Sequence, residues 1–252
     1  MWGHIYFMRV YTVLQIGHYH ANYCEDYLFT GAVGNDKLVF AVMDGCTTAI
    51  DSHFISTLTG KLLRKITTEK GYQELYDPAI FTDTEYLLKS IVKDLFSEIR
   101  LIKNQLMLDP KELLTTIILM VIDKEKAKGE LIVIGDGLVN INGSTTEFDH
   151  DNTPDYIGFH INEDFESWYE KHDQKISFIS IGDISIATDG IFSFTKIKRT
   201  ESEETIDSHD FLLTDRTGFE NSEMLSLKLK KMEHENGLVP TDDFAMIRII
   251  AD

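Results

Sequence analysis

The stretch that most limits how this chain can fold is Val39-Phe-Ala-Val-Met-Asp44-Gly45, where a buried strand, Leu38 to Met43, runs directly into a carboxylate and a glycine. The device returns at Leu131-Ile-Val-Ile-Gly-Asp136-Gly137 and at Ile184-Ser-Ile-Ala-Thr-Asp189-Gly190. Asp242 stands just before the last apolar run, Phe244 to Ile250, and Glu25 and Asp26 just before a strand that starts near Tyr27. A single Asp-Gly is the ordinary signature of a turn. Here each Asp follows an apolar run on the same, C-terminal side, and an acidic pair and a terminal acid join the set. Acids at the tips of apolar strands are costly unless something positive binds them. Hard divalent cations such as Mg²⁺ or Mn²⁺ prefer such an oxygen site. The expectation is a carboxylate cage for two or more metal ions.

The rest of the chain reads around that cage. Ile5 to Ile16 is rich in β-branched and aromatic residues and reads as one or two strands. A polar turn from Gly17 to Asn22 follows, then the strand Tyr27 to Ala32 and a hairpin at Gly34-Asn35-Asp36. After Gly45 the period changes. Phe54, Leu58, Leu62 and Ile66 make one helical stripe, with Asp51 as its N-cap. Leu88, Ile91, Leu95, Ile99 and Ile102 make another, over Thr84 to Asn104 with Asp83 or Thr84 as cap. Asp109-Pro110 fits a short helical turn. Strands follow at Thr115 to Asp123 and Gly129 to Gly135, and Asn142-Gly143 joins Val139 to Asn142 with Thr145 to Phe148. The polar segment Asp149 to Asp173 reads as irregular with one short helix. Ser177 to Ile181 and Ile184 to Thr188 read as strands, and Ile191 to Phe194 as the start of a helix. Lys196 to Asp215 reads as a mobile loop or flap. Ser222 to Glu235 reads as a helix closed by Asn236-Gly237. Hairpins imply antiparallel sheets and each helix has one apolar stripe. An α+β sandwich of two sheets with helices outside buries every stripe.

Composition narrows the function. The formal net charge is −18, from 24 basic and 42 acidic residues. That argues against a nucleic-acid partner, which calls for a basic stripe, and against adsorption to anionic lipid. Two cysteines, Cys24 and Cys46, are too few for a disulfide scaffold. They read as partly buried thiols in a reducing compartment. The longest apolar run, Ile117 to Ile122, falls far short of the roughly 20 residues of a membrane span. The N-terminus lacks the basic, apolar and small-residue order of a signal peptide. The expectation is a cytoplasmic protein with no membrane partner, a single domain over residues 1–252. The sequence carries no sign of its oligomeric state.

Taken in order, Asn22-x-x-Glu25-Asp26, Met43-Asp44-Gly45, Ile134-Gly-Asp136, Ala187-Thr-Asp189-Gly190 and Thr241-Asp242-Asp243 resemble the metal-dependent Ser/Thr protein phosphatases of type 2C, from about residue 10 to 250. The resemblance implies a four-layer α-β-β-α sandwich of two mainly antiparallel sheets, with two, or with a further site three, Mn²⁺ or Mg²⁺ ions between them. By the same resemblance Asp44 bridges both metals, the Gly45 carbonyl binds one, and Asp189 and Asp242 bind the other. Glu25 holds metal-bound water, Asp26 supports it, and Asp136 shares a third metal with Asp189. Asp44, Asp189 and Asp242 are then the catalytic set, and the substrate is a protein phosphorylated on serine or threonine.

Three positions depart from that family. An Arg that grips the substrate phosphate usually stands five residues before the Asp of the acidic pair, and here that residue is Ala21. The residue after the first Asp-Gly is Cys46 where a His is often found, and Thr47 and Thr48 replace small glycines. His18, His20, His53 and Cys46 are the candidate substrate-binding replacements. These departures resemble a divergent bacterial branch. They also leave two other readings open: a pseudophosphatase binding module that keeps the fold without efficient turnover, and a metal hydrolase of small phosphate esters.

Overall fold

The computed structural model describes residues 8–149, 154–197 and 206–251. Ten strands form two five-stranded sheets, every neighbouring pair antiparallel. One sheet is ordered β2 (Tyr27–Val33), β3 (Lys37–Met43), β4 (Ile117–Asp123), β5 (Lys128–Ile134), β8 (Lys175–Phe178). The other is ordered β1 (Met8–Gln15), β12 (Phe244–Ala251), β9 (Asp183–Ala187), β6 (Gly137–Ile141), β7 (Ser144–Phe148). A short pair, β10 (Phe194–Lys196) and β11 (Leu238–Pro240), lies apart from both.

The alternation of side chains along β3 explains the layers. Val39, Ala41 and Met43 pack with Leu63 and Ile66 of α1 (Ser52–Tyr76) and with Leu88, Ile91 and Leu95 of α2 (Thr84–Leu106). Phe40 and Val42 face the other way, onto Ile184, Ile186, Ala245 and Ile247 of the second sheet. That sheet turns Tyr11, Val13, Phe244 and Met246 toward α5 (Ser208–Leu213) and α6 (Met224–Lys231). A strand buried on both faces needs apolar residues at successive positions, which is why β3 and β4 read as continuous runs. The result is the expected α+β sandwich in four layers.

Local chemistry sets most boundaries. Asp83 caps α2, its carboxylate accepting from Tyr86 N, and the 3₁₀ turn Pro110–Leu113 opens with a capping box between Asp109 and Glu112. The β6–β7 hairpin turns on Asn142 and Gly143, with φ of 53° and 87°, as a two-residue turn with both residues left-handed requires.

Several expectations are corrected. Asp51 stands at the N-cap of α1 as expected, but with φ 49° its side chain makes no capping bond, and only its carbonyl accepts, from Phe54 N at 2.7 Å. The strand expected at Ser177 to Ile181 lies earlier, at Lys175–Phe178, because pairing with Gly129–Ile132 points Ile176 and Phe178 at the inter-sheet core and leaves Ile179 outside, 89% exposed. Ile191 to Phe194 is the end of a 3₁₀ turn, Asp189–Ser193, leading into β10. The last helix stops at Lys231 and continues as a π turn, Met232–Asn236, closed by Gly237 at φ 70°. Part of the expected flap is ordered as β10 and α5, and 198–205 lie outside the described residues, as do Ile5 to Phe7 of the first expected strand and 150–153 of the irregular segment. That segment carries two short helices, α3 (Ile157–His160) and α4 (Phe165–Lys171). Among the described residues no helix is long and apolar enough to cross a membrane.

Candidate metal centre

The acids meet at one edge of the sandwich because the strands that carry them end there. Asp44 leaves β3 and is held by its backbone: Thr116 N donates to its carbonyl at 2.9 Å and the Thr115 hydroxyl at 2.8 Å. Gly45 pairs with Thr115 and packs so closely that a Cβ would lie 2.2 Å from the Ser52 carbonyl oxygen, so only glycine fits the turn from strand to helix. Asp189 opens the 3₁₀ turn after β9, where a Cβ on Gly190 would lie 1.8 Å from the Asp243 carbonyl oxygen. Asp242 precedes β12 and is exposed; its N–H donates to Ser193 Oγ at 3.1 Å. Asp136 sits between Gly135 and Gly137 at the end of β5.

Asp26 lies beneath them, 2% exposed. The Thr188 hydroxyl donates to its Oδ2 at 2.6 Å, and its Oδ1 is buried without a hydrogen-bond partner. Burial, with Asp26, Asp189 and Asp242 nearby, holds the Asp44 carboxyl well above the usual carboxylate range. Burial likewise raises Asp26, against the neighbouring Asp44 carboxyl and the Thr188 hydroxyl, and raises Asp189 with help from Asp242 and Asp136. An orphaned carboxylate oxygen and mutually repelling acids fit a set suited to divalent cations: hard oxygen donors, some of them buried.

The structure adds a residue whose role the sequence did not reveal. Asp243 is 2% exposed, and its two oxygens accept from Gly17 N at 2.6 Å and from Glu25 N. It thereby fixes Glu25, which leads into β2 of one sheet, from just before β12 in the other. Glu25 also accepts from the Ser52 hydroxyl, and its carbonyl from Ser56. Asp243 was part of a motif, but nothing in spacing shows that its carboxylate turns inward to tie the loop.

The histidines divide. His20 reaches Asp243 Oδ2 at 2.9 Å and Asp242 Oδ1 at 3.7 Å; despite burial, these acids hold its imidazole above the ordinary histidine value. Its ring, Glu25 and Asp243 lie within 4.8 Å of one another. His18 lines a separate groove with Gln15, Leu229 and Pro240, a groove that His20 also borders, but His18 does not share the ion pairs of His20 with the acids. His53 stacks on Tyr23, centroids 4.3 Å apart. Ala21 is exposed. Above Asp44 opens a cavity of about 620 Å³, lined also by Cys46, Thr47, Thr48, Asp136, Glu147, Asp149, Tyr156, Asp189 and Asp242. Neither His18 nor His20 is among its described lining. Cys46 Sγ lies 3.2 Å from Thr48 Oγ1 and shares a hydrogen bond with the Tyr156 hydroxyl. Burial opposes them, yet these bonds hold the thiol below its ordinary value. Both cysteines are free thiols. Tyr156 carries no sequence signal, since it lies in a segment without periodicity.

The geometry can be set beside known proteins. The sequence model of the family described as protein phosphatase 2C matches residues 17–232. Among solved structures, the fold resembles a serine/threonine phosphatase of S. agalactiae with a TM-score of 0.61, at 12% identity over 98% of this chain and 100% of that one. The catalytic domain of the serine/threonine protein phosphatase PstP, in complex with two manganese ions, matches with a TM-score of 0.54, at 14% identity over 97% and 98%. The phosphatase domain of SpoIIE from Bacillus subtilis, with a fragment of its regulatory domain, matches with a TM-score of 0.58 at 16% identity. This chain is covered to 98% in that match but spans only 64% of the SpoIIE chain. The comparison with curated proteins finds no match.

Proposed function

The chain belongs to the protein phosphatase 2C family, and on that premise we propose that it hydrolyses phosphoserine and phosphothreonine in proteins at a divalent-metal centre. The observation that carries the reading is the convergence of Asp44, Asp136, Asp189 and Asp242 on one cavity, above a buried Asp26 with an oxygen that meets no donor. Asp44, the Gly45 carbonyl, Asp189 and Asp242 would hold two Mn²⁺ or Mg²⁺ ions, with Glu25 and Asp26 beside them and Asp136 and Asp189 for a third. When bound, such ions lower the pKa of water and neutralise the charge of the phosphoryl group.

The chain's own part is placement. Thr115 and Thr116 fix the Asp44 backbone, Thr188 orients Asp26, and Asp243 holds Glu25 against the loop that begins at Gly17. With its backbone partners fixed, the donor set would meet its cations with little reorganisation. The manganese ions of the PstP domain support the choice of Mn²⁺ or Mg²⁺. Exposed Ala21 motivates the other reading, a binding module without turnover, but the complete set of acids weighs against it.

Turnover of a phosphothreonine peptide by purified protein, with and without metal, tests the function. Mn²⁺ or Mg²⁺ should activate it and excess EDTA should abolish it. Activity untouched by EDTA would refute the metal centre, and no turnover at any metal concentration would leave the binding module. Comparing the peptide with a sugar phosphate and a nucleotide separates protein substrates from small esters.

Asp136 allows a finer test. As a ligand of a third, weaker ion, Asp136→Ala should leave the fold and the first two ions in place, lower turnover, and remove the response of activity to the upper range of metal concentration. As a turn residue only, it should cost about 0.5–1 kcal/mol of stability and leave the metal titration curve unchanged.

A further inference from the structure

The cavity over Asp44 has an unusual wall for a site that is to hold a phosphoryl group. Its described lining includes no lysine, arginine or histidine, and six of its residues are carboxylates: Asp44, Asp136, Glu147, Asp149, Asp189 and Asp242. Among the described lining residues the side-chain donors are Cys46, Thr47, Thr48 and Tyr156. Metal ions can neutralise the phosphoryl oxygens they touch. An oxygen turned away from them still needs a donor, because an anionic acceptor left unpaired beside carboxylates is costly.

We propose that Tyr156 is the phosphate-binding residue of this site, its hydroxyl donating to a substrate phosphoryl oxygen where other members of the family use a guanidinium. The proposal rests on the phosphatase reading above. Tyr156 is partly buried in the cavity wall, its ring edge-on to Phe159 with centroids 5.5 Å apart. The Cys46 thiol is the group beside its hydroxyl, and sulfur is a weak acceptor. An arriving phosphoryl oxygen is a far stronger one, so the hydroxyl turns to it at little cost. Burial pushes the phenol above its ordinary value, which keeps the donor hydrogen in place.

The loop beneath is braced more firmly than its lack of regular structure suggests. His160, on the next turn of chain, has Nε2 2.7 Å from Asp155 Oδ1 and Nδ1 2.6 Å from Glu163 Oε1, which clamps the residue before Tyr156. The residue after it, Ile157, donates its N–H to the Thr115 carbonyl at 3.1 Å. Thr115 in turn holds the Asp44 carbonyl at 2.8 Å. The Asp155 carbonyl packs against Gly135, where a Cβ would lie 2.5 Å away. Tyr156 is thus tied by short paths both to Asp44 and to the neighbour of Asp136. A side chain that served only to brace the loop would duplicate what the His160 clamp already does.

Tyr156→Phe removes one oxygen and keeps the ring. On the Mn²⁺-loaded protein, two quantities are read: the Kd for inorganic phosphate by calorimetry, and kcat and KM for p-nitrophenyl phosphate and a phosphothreonine peptide. The expected result is a rise of about tenfold or more in phosphate Kd and in KM, with Mn²⁺ affinity and Tm unchanged. A phosphate Kd within twofold of the parent would overturn the proposal, and so would a parallel loss of Mn²⁺ affinity and Tm, which would make Tyr156 a brace. If the parent binds phosphate but turns over nothing, the phosphatase reading fails while the effect of Tyr156→Phe on phosphate binding still decides this one. A Mn²⁺-loaded parent that binds no phosphate at all overturns both.

Discussion

Asp44→Asn is expected to lower turnover by at least on the order of a thousandfold, equivalent to about 4 kcal/mol of transition-state stabilisation, while leaving the metal-free chain as stable as the parent or more so. Asp44 is the acid proposed to bridge two cations; it follows β3, and burial together with Asp26, Asp189 and Asp242 nearby opposes its charge. An amide of the same shape removes a charge from a repelling set, so the fold gains. It also loses an anionic ligand, so Mn²⁺ should no longer raise the melting temperature. The backbone bonds from Thr115 and Thr116 go to the Asp44 carbonyl and survive the change. Steady-state kinetics and thermal melts with and without Mn²⁺ check both halves. Near-normal turnover, or a variant that unfolds at room temperature, would remove Asp44 from the centre of the account.

The second large effect is on stability against pH. In the folded, metal-free chain Asp26, Asp44 and Asp189 are raised above their unfolded values, Asp189 to about 6. Below about pH 4 these groups are protonated in both states and contribute nothing to the pH dependence. Above it the unfolded chain ionises first, so the native state binds more protons and stability falls as pH rises, until the raised values are passed. Metal-free protein should therefore melt lower at pH 8 than at pH 5. Mn²⁺ at about a hundred times its Kd should restore about 2.7 kcal/mol at pH 8, which for a chain of this size is roughly 5–10 °C. Melting curves in EDTA and in Mn²⁺ across that range check it. A metal-free melting temperature that rises from pH 5 to pH 8 would mean that the acids are stabilised by something other than a missing cation.

What could be seen in the sequence was what repeats. Apolar runs ending in Asp-Gly marked Asp44, Asp136 and Asp189 because strand and acid are adjacent in the chain, and local patterns survive translation into structure. The stripes of α1 and α2 were legible for the same reason. Asp243 was not, since its partners are the Gly17 and Glu25 amides, more than two hundred residues away. Asp51 marked the N-cap position but not its bond, because the side chain that suits an N-cap also tolerates the left-handed backbone found there. His18 and His20 stand two apart in sequence and border the same groove, yet only His20 also reaches the acids, and the path of the loop decides which. Tyr156 sits in a polar segment whose brace is a set of side-chain contacts among Asp155, His160 and Glu163, and no periodicity announces those.

The central claim is that these acids hold a pair of cations. A crystal of the protein grown or soaked in Mn²⁺, with anomalous scattering measured above the manganese edge, tests it most directly. The account expects two peaks about 3.5–4 Å apart, both in contact with Asp44, one also near Asp189 and Asp242 and the other near Glu25 and the Gly45 carbonyl. A single peak away from Asp44, or none with Mn²⁺ in large excess, would contradict it.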